Sequence, residues 1–184
     1  MGRWERTHAK LRETALRLFA TQGYEATGTA AIARAAGVSE MTLFRHFPSK
    51  EELLLQDPYD PRMAEAVRLR PDHEPAMRAL AEGIRSAWRE LEPQELAQLR
   101  TVLELVAATP ALRGALERSG RDTATALASA LEERGVPPAQ AQVAAAAALS
   151  GLSAALLAWA AGPGTGLREH VEGALDVLGG GPGC

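Results

Sequence analysis

Apolar residues recur at helical spacing along most of this 184-residue chain. Leu11, Ala15, Leu18 and Phe19 mark one face of a helix expected over about residues 4–21. Gly23 ends it, and Tyr24 joins Phe19 beneath the following turn. A second, short helix carries Ile32, Ala33, Ala35 and Ala36 and stops at Gly37, where a left-handed backbone is easiest without a Cβ. Val38 plugs the corner, and Ser39 caps a third helix by accepting a backbone N–H. Leu43 and Phe47 lie four apart on one face of that helix, with Phe44 close by. Small residues at Ala33 and Gly37 let two helices cross at about 90–120°. The stretch from Thr29 to Phe47 is thus a helix-turn-helix pattern, whose second helix is the one that enters a DNA major groove when such a motif binds DNA. After Pro48, Ser49 and Glu52 fit a capping box that opens a fourth helix.

The sequence DPYDPR, residues 57–62, holds Pro58 and Pro61 and is expected to break or sharply kink the chain. A domain boundary is placed there, giving 1–56 and 57–184. Beyond it, helices are expected at about 62–70, 74–91, 94–108, 111–134, 138–161 and 167–178. Met77, Leu80, Ala81, Ile84, Trp88 and Leu91 form one stripe, and Leu96, Leu99, Leu103 and Val106 another. The fold class is all-α: a three-helix helix-turn-helix domain followed by a helical bundle.

Aromatic residues make up 4% of the chain, so the core must rest on Leu, Ala and Val, which suits helices better than sheets. The overall charge of −3 is unevenly spread. Residues 1–56 hold eight Lys/Arg against six Asp/Glu, so a head of charge +2 precedes a body of −5. The one cysteine, Cys184, forms no internal disulfide and is consistent with a reducing cytoplasm. Four scattered histidines (8, 46, 73 and 170) give no metal-ligand spacing, and no cofactor is expected. The first residues lack the apolar core of a signal peptide. Val143 to Ala161 carries no charge and is nearly long enough to span a bilayer, but it is mostly alanine and includes Ser150, Gly151 and Ser153. It is read as a buried helix, with no membrane.

Three function classes are compatible with a helical chain of this composition. An enzyme needs a nucleophile, base or metal constellation, and none shows in the sequence. GPGTG, residues 162–166, lacks the Lys and the preceding strand of a phosphate loop. A helical adaptor for another protein would use the same amphipathic stripes, and a helix-turn-helix corner by itself does not exclude it. A DNA-binding regulator is the third class.

The context decides for the third. Thr14 to Leu54, TALRLFATQGYEATGTAAIARAAGVSEMTLFRHFPSKEELL, closely resembles the N-terminal domain of TetR-family transcriptional regulators. The resemblance implies a double-stranded DNA operator as partner, with Glu40, Met41 and Arg45 facing the groove. It places Thr42, Phe44 and His46 near the DNA backbone, with Lys50 and His46 fixing register. Thr27, Gly28, Thr29 and Ser39 complete the expected DNA-facing set. Two positions depart from the family: Phe44 stands where Tyr is common, and Gly28 where a hydroxyl residue is usual. Glu40 reads equally as an acceptor for a cytosine amino group or as a charge favoured in a helix's first turn. The body is expected to hold a small, largely apolar effector, with Met77, Trp88, Leu103 and Trp159 as candidate liners. The helix from Pro138 is apolar nearly all round and must be covered on every side. A homodimer through the last two helices is therefore expected, at Leu149, Gly151, Leu152, Leu156, Val171 and Leu175. The implied function is a cytoplasmic repressor that binds a palindrome and is released by its ligand.

Overall fold

The computed structural model describes residues 2–55, 60–162 and 166–179. Among these residues ten α-helices run in order: α1 (Arg3–Gln22), α2 (Thr29–Ala36), α3 (Glu40–His46), α4 (Glu52–Leu55), α5 (Asp60–Arg68), α6 (Ala76–Arg89), α7 (Pro93–Ala108), α8 (Arg113–Glu133), α9 (Pro138–Ala161) and α10 (Leu167–Gly179), with a 3-10 turn, Pro110–Leu112, before α8. The all-α class expected from the apolar spacing holds. Two elements differ from expectation. Pro61 begins a helix instead of breaking one, since a first-turn proline lacks an N–H that would have no partner there anyway. Pro110 likewise starts a separate turn ahead of α8. Pro58, residues 163–165 and the tail with Cys184 lie outside the described residues.

By contact the chain forms two units, residues 1–56 with 97–116, and 57–96 with 117–184. In the first, Leu11, Phe19, Ile32, Leu43, Phe47 and Leu54 are closed off from solvent. Val102, Val106 and Leu112 join this core, although their segment falls within the second domain as drawn from sequence. An amphipathic stripe says that a helix must be covered, not by what, so its partner was not legible from spacing.

The second unit is built on α5, α6, α9 and α10. Leu80, Ile84, Leu127 and Leu131 are fully enclosed in its core. Gly83 is the closest approach of α6 to α5: a Cβ there would stand 2.6 Å from Val67 Cγ2 and 2.9 Å from its Cα and N. Arg85 is buried and ties α6 to α10, donating to Glu82 Oε1 at 2.5 Å, to Asp176 Oδ1 at 2.7 Å and to Glu172. Arg134 donates to the backbone carbonyls of Arg70 and, at 2.7 Å, Pro71, fastening the end of α8 to the loop before α6. Among the described residues α9 alone is long and apolar enough to cross a membrane, but it packs against α6 and α10 and buries Ala141, Ala145, Ala148 and Leu152.

Candidate nucleic-acid interface

Local chemistry sets the corner. Gly37 has φ 73° and ψ 32°, the left-handed turn that ends α2, and its N–H bonds back to the carbonyls of Ala33 and Arg34. Ser39 Oγ accepts from the Thr42 N–H at 3.1 Å and caps α3. Leu43 and Phe47 are buried beneath it, so the opposite face of α3 is turned outward. That face presents Glu40, Met41, Phe44 and Arg45. Met41 is 77% exposed and Phe44 44%, an unusual display of large apolar side chains on so short a helix.

The rest of the expected set divides. Gly28 is the N-cap of α2 and a Cβ there would meet nothing, so the first turn is open and carries no side-chain cap. Thr29 donates to Glu40 Oε1 at 2.5 Å, which joins the start of α2 to the start of α3 and engages both groups. Thr42 is half-buried, and its hydroxyl lies 2.9 Å from Ser39 Oγ in an exposed contact. Three residues are placed otherwise than expected. Thr27 is fully buried, its hydroxyl donating to the Gly23 carbonyl at 2.8 Å, so it neither caps α2 nor reaches outward. Lys50 lies 4.1 Å from the centre of the Tyr24 ring and donates to the Tyr24 carbonyl at 2.6 Å, an attachment within the unit. His46 is buried, stacked on Trp4 with ring centres 3.6 Å apart, and its Nδ1 has no hydrogen-bond partner among the described residues. Trp4, half exposed, had no part in the sequence expectation. Its spacing of four from His8, itself stacked on Phe47, was the available signal that the start of α1 packs on the end of α3. Lys10 of α1, one of the eight basic residues of the head, holds its ammonium 3.8 Å from where a Gly37 Cβ would be, beside the turn.

Burial holds the His46 pKa below its ordinary value, and the neighbouring Arg45 charge adds to this. The sign follows: the unfolded chain takes up a proton at higher pH than the folded one. The stability due to neutral His46 is thus complete above the ordinary histidine pKa and is lost as pH falls through it. Thermal unfolding between pH 7.5 and 5.5 is expected to show a falling Tm, and His46→Phe, which keeps a ring against Trp4, a smaller fall. An unchanged slope in that variant would assign the effect to other groups.

The body residues expected to line one pocket are dispersed. Leu103 belongs to the first unit. Met77 packs against the second core and Trp159 is buried, while Trp88 lines a cleft between α6 and α10 that neither of them reaches. The expected dimer set also needs correction. Leu152, Val171 and Leu175 are buried in the protomer's own core, and a Cβ on Gly151 would stand 3.1 Å from Leu178, so that glycine admits α10 of the same chain. Leu156 and Leu149 are half-buried. The outward face of α9 is instead Val143, Ala147, Ser150, Ala154, Ala158 and Ala161. Among the described residues no group of three or more His, Cys, Asp or Glu side chains could hold a metal.

Comparison with known proteins identifies the family. Residues 11–56 match the bacterial regulatory proteins, tetR family, and residues 74–182 match the MftR C-terminal domain. The chain is a TetR-family transcriptional regulator. This regulator is 37% identical over 114 residues to the HTH-type transcriptional regulator TcmR of Streptomyces glaucescens, an alignment covering 58% of this chain and 50% of that protein. It thus spans about half the length of that curated relative. Its fold is that of a TetR-family regulator from Mesorhizobium loti, at TM-score 0.57 and 18% identity with 97% of each chain covered. It is also that of NalD, the secondary repressor of the MexAB-OprM multidrug efflux pump in Pseudomonas aeruginosa, at TM-score 0.53 and 24% identity over 95% of this chain and 96% of that one. The proteins of this family are DNA-binding transcriptional regulators.

Proposed function

We propose that the protein is a cytoplasmic repressor that binds a palindromic operator as a homodimer and lets go when a small molecule occupies its second unit. The observation that carries the DNA-facing part is the outward face of α3, where Glu40, Met41, Phe44 and Arg45 stand exposed on a buried Leu43–Phe47 base. Arg45 offers paired N–H donors to a guanine edge, and Met41 an apolar contact for a thymine methyl. Glu40, held at one oxygen by Thr29, keeps its other oxygen for a cytosine amino group. The open first turn of α2 at Gly28 offers backbone N–H groups to a phosphate. Dimerisation is supported by the uncovered apolar face of α9, and repression by the likeness to NalD, a named repressor.

Selection of bound duplexes from a random pool tests the whole reading: a two-fold symmetric consensus is expected, and recovery of no preferred sequence would defeat it. On that consensus, Arg45→Ala is expected to cost about 1–3 kcal/mol and to relax preference at one position in each half-site. Uniform weakening on all sequences would instead make Arg45 a phosphate contact.

A further inference from the structure

The second unit contains a cleft between α6 and α10, open to solvent at its mouth. Trp88, Leu91, Leu96 and Leu167 give it apolar walls. The two helices run antiparallel: a Cβ on Gly179 would meet Ala81, and Arg85 pairs with Glu172 and Asp176. Arg89, the last residue of α6, and Arg168, the second of α10, therefore come to the same end of the cleft. Both are exposed, and neither makes an ion pair among the described residues. Arg85, deeper in the cleft, differs. Its single charge already faces three carboxylates, Glu82, Glu172 and Asp176, so that region does not attract a further anion. The guanidiniums still open to a carboxylate are those at the Arg89–Arg168 end, with Glu90 and Glu169 as their chain neighbours. The indole N–H of Trp88 is buried with no acceptor among the described residues, an unmet donor in the wall of the same cleft.

We propose that this cleft binds an organic anion consisting of a single carboxylate on an apolar body. The carboxylate lies between Arg89 and Arg168, where guanidinium groups match it geometrically, and the body lies against Trp88 and the leucines. The proposal rests on the effector reading above and narrows it, from a largely apolar molecule to an amphipathic anion. Binding at this place acts on α10, whose attachment to α6 is the Arg85 cluster.

Titration calorimetry on the full chain tests it, with octanoate as the probe, 1-octanol as its uncharged counterpart, and the double variant R89A/R168A. Both arginines are surface residues, so the variant is expected to fold normally, which circular dichroism checks. Saturable octanoate binding is expected, at least tenfold weaker for 1-octanol and for the double variant. Equal affinity for the alcohol, full affinity in the variant, or no saturable binding of octanoate would each overturn the assignment. Operator release measured in parallel separates the two readings. Octanoate that fills the cleft without loosening the operator leaves the site standing and defeats its role as effector site. Failure of octanoate to bind a protein that still holds its operator defeats the site alone.

Discussion

Replacing Ala147 with glutamate is expected to convert a dimer into a monomer and to lower operator affinity by at least about 100-fold, the scale of avidity lost when two linked sites become one. Ala147 sits on the face of α9 formed by Val143, Ser150, Ala154 and Ala158, all outside the protomer's own core. Val143 is 71% exposed, as is Val177 of α10 at 74%, and neither has a polar task there. The small side chains let a second copy of α9 approach closely, and a two-fold axis would place the same face on both partners. A carboxylate at the centre of such a contact has no partner and loses its water. Since Ala147 is exposed in its own protomer, helix content and thermal midpoint of the isolated protomer are expected to stay put. Sedimentation and operator titration read the result. A variant that remains dimeric would move the interface off this face.

Gly83→Ala is expected to produce the largest loss of stability from a single methyl group. The new Cβ would press on the backbone of Val67 as well as on its side chain. Backbone atoms inside a helix cannot turn aside as a side-chain tip does, so α5 must retreat from α6 and open a gap along their contact. Overpacking of this kind costs about 1–3 kcal/mol or more, which exceeds the gain of about 1 kcal/mol that alanine brings to a helix over glycine. With the clash falling on backbone the cost lies at the upper end of that range, and the resulting net loss of about 2 kcal/mol corresponds to a Tm lower by about 4–8 °C for a chain of this size. Thermal unfolding followed by circular dichroism measures it, and a Tm equal to or above that of the parent would show that α5 yields without cost.

What the sequence determined by itself was local. The corner from Ile32 to Phe47 was legible because everything that shapes it lies within a few residues: Gly37 for the left-handed turn, Ser39 for the cap, and Leu43 with Phe47 for the buried side. The exposure of Glu40, Met41 and Arg45 follows from the same period. What the tertiary structure decided was which surface meets which. A stripe on α7 does not name its partner, so the packing of Val102 and Val106 with the head's core had no sequence signal. Helix α9 is apolar on every side and its sequence has no direction, so the inward side (Ala145, Ala148, Leu152) and the outward side (Val143, Ala147, Ala154) were assigned only when α6 and α10 covered one of them. His46 reads as a polar residue on a recognition helix until Trp4, some forty positions earlier, folds over it. Spacing along one helix reports the side that must be buried. The identity of the cover, and with it the choice between surface and core for residues such as His46, Thr27 and Val171, arises from contacts between distant parts of the chain.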